Sequence, residues 1–193
     1  MRRAYAVITT HDRPDDFMEC VAAIKPQVNQ VITISHRADY ALGMTIGRYF
    51  DVDVPNISAM WNAGLDIAHQ QAHGSPYDVA VLNDDCIVPD DWFGRVTAAM
   101  RNQGAAAGCV YRPWDGRMSG YAFILDGDKG LRCDEQFQWW YGDTDLERQA
   151  EQCGGVAFAE GVDVEHRHPN STTTGVLANV AAEDGHRYRE KWG

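Results

Sequence analysis

The sequence predicts an α/β fold in which a mostly parallel central sheet carries helices on both faces and a shorter, mixed part follows at the C-terminus. Three observations predict it. Short apolar runs at residues 4–9, 30–35 and 77–82 alternate with segments whose apolar residues recur at helical spacing. No repeat, low-complexity tract or linker interrupts the 193 residues, a length that suits one core, so residues 1–193 read as a single domain. Polar clusters follow the apolar runs directly, on the edge where such sheets gather ligands.

Residues 4–9 are apolar and β-branched, as a buried strand is, and end in Thr10, His11, Asp12, Arg13 and Pro14. A helix follows. Pro14 suits its first turn, Asp15 and Asp16 its positive end, and Phe17, Cys20, Val21 and Ile24 recur at i, i+3, i+4 and i+7 before Pro26 stops it. Residues 30–35 form a second strand. After a less regular stretch, Ser58 caps a helix with Trp61, Leu65, Ala68 and Ala72 on one face, ended by Gly74, Ser75 and Pro76. Residues 77–82 form a third strand, and Asp90 or Asp91 opens a helix bearing Phe93, Val96 and Met100, closed near Gly104. The second half is less regular. Strands are expected at residues 106–111 and 120–125, a helix from Asp143 with Leu146, Ala150 and Cys153, strands at 156–158 and 162–165, a polar loop over 166–174 and a terminal helix over 176–188.

The formal charge of −11 excludes a broad electrostatic attraction to nucleic acid or to an anionic membrane face. A phosphate-bearing substrate would need its charge met locally, by a few arginines, a helix N-terminus or a divalent cation. Cys20, Cys86, Cys109, Cys133 and Cys153 are odd in number and form no C-x-x-C pair, which fits reduced thiols and a cytoplasmic protein. The N-terminus leads straight into a strand, and no apolar segment is long enough for stable membrane insertion.

The clearest chemical signal is Asn83-Asp84-Asp85, a carboxylate pair directly after an apolar strand. Hard oxygen ligands at that edge suit Mg²⁺ or Mn²⁺, which bridge phosphates and neutralise a leaving diphosphate. The same residues also make good turns, so the run alone leaves both readings open.

Its context resembles the GT-A glycosyltransferases, particularly the family 2-like group. Ile8-Thr9-Thr10-His11-Asp12-Arg13-Pro14 is similar to the first-strand donor loop of that family, and Ser58-Ala59-Met60-Trp61-Asn62-Ala63-Gly64 to its helix segment with N-x-G. Leu82-Asn83-Asp84-Asp85-Cys86-Ile87-Val88-Pro89 is similar to its D-x-D-type motif and the strand exit after it. Residues 120–124, Asp134-Glu135-Gln136-Phe137, Tyr141-Gly142-Asp143-Thr144-Asp145-Leu146, and Val164-Glu165-His166 with Ser171 follow in the family's order.

The resemblance implies a metal-dependent enzyme that transfers a hexose, with inversion, from a UDP- or GDP-type nucleotide diphosphate sugar to a hydroxyl on a glycan, protein or lipid. Residues 1–90 would form the nucleotide-sugar-binding half and residues 91–193 the acceptor and catalytic half. Asp85 takes the place of the metal-binding carboxylate, with Asp84 second and Asn83 where many relatives have the first Asp; Mn²⁺ or Mg²⁺ is the cofactor implied. Thr9, Thr10, Arg13, Asn83 and Asp84 would meet the nucleotide sugar. Asp143 stands where an E-D-x-D-like segment places the catalytic base, with Gly142 replacing the Glu, and it also suits a helix N-cap. His166 is the late metal ligand, His168 its alternative. Relatives end the second strand with an acidic pair, whereas here Ser35-His36-Arg37 precedes Asp39.

Trp139, Trp140 and Tyr141 precede Asp143 and suit either a sugar platform or the core, as, less strongly, do Trp114 and Tyr121. Arg187, Arg189 and Lys191 suit a solvated helix end better than the mouth of a site. Two other readings stay open: a nucleotidyltransferase, disfavoured because residues 9–14 contain no glycine, and an inactive glycan- or nucleotide-binding module, which Gly142 and Asn83 would fit.

Overall fold

The computed structural model describes residues 2–36, 46–50, 53–111, 116–169 and 173–193. The elements run β1 (Arg3–Thr10), α1 (Pro14–Ile24), β2 (Gln30–His36), β3 (Ile46–Phe50), α2 (Ile57–Ala72), β4 (Tyr77–Asn83), β5 (Cys86–Ile87), α3 (Trp92–Gln103), β6 (Ala107–Val110), β7 (Ala122–Asp126), α4 (Gly142–Glu151), β8 (Val156–Ala159), β9 (Glu165–His166) and α5 (Val176–Trp192).

Seven strands form the central sheet in the order β3-β2-β1-β4-β7-β6-β8. β3, β2, β1 and β4 are mutually parallel, β7 runs antiparallel to both of its neighbours, and β8 lies parallel to β6. Side-chain alternation along each strand divides the core into two layers. Tyr5 and Val7 face Met60, Trp61, Leu65, Leu146 and Ala150 of α2 and α4. Ala6 and Ile8 face Phe17, Ile24, Trp92, Val96 and Met100 of α1 and α3. The predicted mostly parallel sheet, covered on both faces, is therefore what forms.

Register sets the functional edge. Thr9 lies opposite Asn83, and Thr10 opposite Ser35, so the carboxyl ends of β1, β2 and β4 finish level. Leu82 pairs with Ala122, and the Asn83 N–H donates to the Tyr121 carbonyl at 2.9 Å, which brings the start of the reversed β7 to the same edge. α2 approaches β1 closely. A Cβ built on Gly64 would stand 2.3 Å from Val7 Cγ1, which explains the glycine of the N-x-G segment by packing. Asn62 serves packing too, exchanging hydrogen bonds with the Cys133 backbone through both its amide oxygen (3.0 Å) and its amide nitrogen (2.9 Å).

Four local expectations change. The cap of α2 is Asn56, whose Oδ1 accepts from the Ala59 N–H at 2.9 Å, while Ser58 lies inside the helix and donates to the Phe137 carbonyl at 2.6 Å. α4 begins at Gly142 after Tyr141 in left-handed geometry (φ 68°), so Asp143 sits within the first turn and is no N-cap. The irregular stretch after β2 contains an edge strand, β3, whose Gly47 and Arg48 mask the apolar pattern. The strand expected at 162–165 reduces to the two-residue β9, paired antiparallel with β5. The five cysteines form no disulfide. Among the described residues, no helix is long and apolar enough to cross a membrane.

Candidate active site

A cleft of about 860 Å³ lies over the ends of β1, β2 and β4 and the start of β7. Its lining includes Thr9, Thr10 and Arg13; Asn83, Asp84 and Asp85; Asp143; His166; and Trp139, Trp140 and Tyr141.

Asp85 is the most connected of them. It is 2% exposed, and its Oδ2 accepts from Arg13 Nη1 at 2.9 Å and from the His168 N–H at 3.2 Å. Its Oδ1 faces His166 Nε2 at 3.4 Å. The β5–β9 ladder makes this possible, because pairing Cys86 with His166 delivers the imidazole beside the carboxylate next in sequence. Tyr121 stacks on the His166 ring at 4.2 Å between centroids and holds it there. His168 aims its own ring elsewhere, with Nε2 3.2 Å from Asp16 Oδ2 on α1. Arg167 between them binds Asp16 Oδ1 at 3.0 Å and Glu19 Oε2 at 2.6 Å, fastening the loop to α1.

Burial tends to raise the Asp85 pKa, but the hydrogen bond and charge of His166 and the charge of Arg13 outweigh it, and the carboxyl lies below its ordinary value. It is thus an anion at neutral pH. Ligand atoms of Asp85, Cys86 and His166 all lie within 4.8 Å of one another, so a carboxylate oxygen and an imidazole nitrogen fit a small divalent cation. Burial holds the Cys86 thiol well above its ordinary pKa, leaving Asp85 and His166 as the fitting pair.

Asp84 turns away from that pair. Thr10 Oγ1 donates to its Oδ2 at 2.8 Å and the His11 N–H reaches the same oxygen at 3.4 Å, tying the β1 loop to the β4 turn. Burial raises its pKa, the Thr10 hydrogen bond opposes this, and the Asp85 charge adds to it. No local pattern foretells that His11 meets His36. Their Nδ1 atoms stand 3.0 Å apart, and His11 Nδ1 is 2.9 Å from the His36 carbonyl, at the end of β2. Arg37 and Asp39 lie outside the described residues, as do Trp114 and Ser171.

Across the cleft stands Asp143. Its Oδ1 accepts from the Thr144 N–H at 2.8 Å, and its Oδ2 lies where a Cβ on Gly120 would be 2.3 Å away. Burial raises its pKa above the ordinary carboxylate value, against the Thr144 N–H and the charge of Arg117. Gly142, in the place of the family's Glu, faces Ser58 so closely that a Cβ would approach Oγ to 2.5 Å. The replacement is therefore a packing requirement of α4 on α2.

The aromatic run is held from behind by α5. Asp184, fully buried, accepts from the N–H groups of Gln138 (3.1 Å), Trp139 (2.7 Å) and Trp140 (3.0 Å). Thr173 Oγ1 takes both indole N–H groups, at 3.1 and 3.2 Å, and Tyr141 stacks on Tyr188 at 4.9 Å. Trp139 and Tyr141 are half-buried and Trp140 is exposed at 41%, so they are not core residues. Removing Asp184 strands three backbone donors; we expect Asp184→Ala to lose on the order of 3 kcal/mol in urea unfolding. The basic residues of α5 are structural: Arg187 pairs with Asp184 at 3.0 Å, and Lys191 reaches Asp134 and the buried Asp145 at 2.8 and 2.7 Å.

No family model and no curated protein sequence matches the chain. Solved structures do. S. aureus TarS 1–349 superposes with a TM-score of 0.62 at 10% identity, over 98% of this chain and 72% of that one. Its complex with UDP gives 0.57 at 11% identity over the same shares. GalNAc-T7, solved with UDP, GalNAc and Mn²⁺, gives 0.68 at 12% identity, over 96% of this chain and 48% of its own length. The chain thus has the GT-A fold and spans about half of the GalNAc-T7 chain.

Proposed function

We propose that this chain is a metal-dependent glycosyltransferase that moves a hexose, with inversion, from a UDP- or GDP-type nucleotide diphosphate sugar to a hydroxyl of a glycan, protein or lipid acceptor. One observation carries the reading: an anionic carboxylate, an imidazole and a guanidinium converge at the ends of parallel strands, and a second carboxylate faces them across the same cleft.

The first half of the chain, with Thr9, Thr10, Arg13, Asn83 and Asp84, meets the donor, and the second half supplies the acceptor side. Asp85 and His166 would hold Mn²⁺ or Mg²⁺, which when bound supplies positive charge to the departing nucleoside diphosphate. Arg13, whose Nη1 binds Asp85, brings its guanidinium to the side of the cleft where the diphosphate lies. Trp139, Trp140 and Tyr141 form a platform beside Asp143 for the acceptor. Asp143 takes the proton from the acceptor hydroxyl as its oxygen forms the new bond at the anomeric carbon and the bond to diphosphate breaks.

A base must be ionised to act, and burial raises the Asp143 pKa. Transfer should therefore fall as pH drops through that raised value, with the acid limb of the kcat/KM profile above the ordinary carboxylate range; a limb in or below that range would exclude Asp143 as the group reported. The functional reading itself is tested by calorimetric titration of UDP and GDP with and without Mn²⁺. At least one should bind in a metal-dependent manner, and failure of both to bind overturns the donor assignment.

A further inference from the structure

Arg117 lies in the irregular segment before β7, and its sequence context gave it no role. In the structure it lines the cleft beside Asp143. Its Nη2 donates to Thr144 Oγ1 at 2.8 Å, and that oxygen lies 3.4 Å from Asp143 Oδ1. The order of donors follows from chemistry. A guanidinium can only donate, so the Thr144 hydroxyl accepts from Arg117 and its own proton is left to point at the carboxylate. With the Thr144 N–H at 2.8 Å, Oδ1 receives two donors from one residue. Oδ2 points the other way and stands over Gly120, where the lack of a side chain makes room for it: a Cβ there would lie 2.3 Å from this oxygen.

We propose that Arg117 and Thr144 are positioning residues for Asp143, forming a guanidinium-to-hydroxyl-to-carboxylate relay that occupies Oδ1 and leaves Oδ2 as the oxygen that receives the acceptor's proton. This rests on the reading of Asp143 as the base. A relay of this kind fixes the carboxylate plane before the acceptor arrives, and successive hydrogen bonds polarise one another. Arg117 is itself steered by Glu147, one turn along α4, which takes Arg117 Nε at 3.4 Å and the Met118 N–H at 3.1 Å.

The other charged and titratable groups about this turn are committed elsewhere. Asp145 is held by Lys191 of α5 at 2.7 Å and by Trp192 Nε1 at 2.9 Å. Cys133, whose thiol senses the charges of both Asp145 and Asp143, is kept protonated by burial. Among the described residues, Arg117 is thus the cation that acts on Asp143, opposing the effect of its burial.

The test is a ¹³C NMR titration of the Asp143 carboxyl, assigned by its disappearance in D143N, in wild-type protein and in R117Q, T144V and T144S, with transfer kinetics alongside. R117Q and T144V should each move the midpoint to higher pH, whereas T144S, which keeps the hydroxyl, should leave it in place. In the same two variants kcat should fall on the order of tenfold with donor KM unchanged, and the acid limb of the rate profile should move up with the midpoint. A residue that merely supported the fold would not shift a carboxyl midpoint in one direction on loss of charge and hydroxyl alike. If R117Q does not fold, T144V and R117M, which also removes the charge, carry the same comparison. An unchanged midpoint in T144V and in the arginine variant overturns the relay. D143N retaining wild-type transfer overturns the assignment of the base, and the two failures are distinguishable because the midpoint is read without turnover.

Discussion

Asp143→Asn is expected to lower kcat for transfer by roughly 10²–10⁴-fold, the usual contribution of a general base, while donor KM stays close to that of the wild type. The amide keeps the size of the carboxylate and the Thr144 N–H contact to Oδ1, so α4 should hold its place. What disappears is the anion that accepts a proton. Steady-state kinetics with a fixed acceptor separate the effects: a fall in kcat alone places the loss in the chemical step, and an equal loss through KM would move Asp143 to donor binding.

The second large effect is expected for Asp85→Ala. Asp85 joins three partners from distant parts of the chain, Arg13 after β1, His166 of β9 and the His168 N–H, and also meets the thiol of the neighbouring Cys86. Its removal should weaken nucleoside diphosphate binding in Mn²⁺ by roughly 100-fold, close to 3 kcal/mol, and should abolish the difference made by the metal. Calorimetry with and without Mn²⁺ reads both. Undiminished metal-dependent binding in this variant would remove Asp85 from the metal site. Stability should fall as well, because Arg13 and the His168 N–H lose a buried acceptor, and a urea titration separates that loss from the binding effect.

Much of the fold was legible because the sheet is buried on both faces. The apolar runs at residues 4–8 of β1 and 79–82 of β4, and helical periodicity in α1, α2 and α3, are direct consequences of that burial. β3 was not legible, since an edge strand bearing Gly47 and Arg48 needs no such pattern. The cap of α2 was misplaced because Ser58 and Asn56 both suit an N-cap, and only the contact of Ser58 with Phe137, 79 residues away, decides between them.

The site was legible wherever chemistry sits at a strand end. Asn83, Asp84 and Asp85 follow β4, Thr10 closes β1, and His166 lies on the β9 ladder, so sequence order alone could suggest their meeting. Asp184, Thr173 and Arg117 could not be read in that way. Each acts on a segment 27 to 46 residues distant through hydrogen bonds that leave no local pattern. Gly120 and Gly142 belong to the same class: their meaning lies in what a side chain would strike, Asp143 in one case and Ser58 in the other.

Turnover is tested most directly by release of nucleoside diphosphate from a panel of UDP- and GDP-sugars, followed in Mn²⁺ and in chelator, with and without hydroxyl acceptors. Release from at least one donor should require the metal and be lost in Asp143→Asn. Metal-dependent binding of the nucleotide with no release from any donor would contradict it and leave the chain a binding module on the GT-A fold.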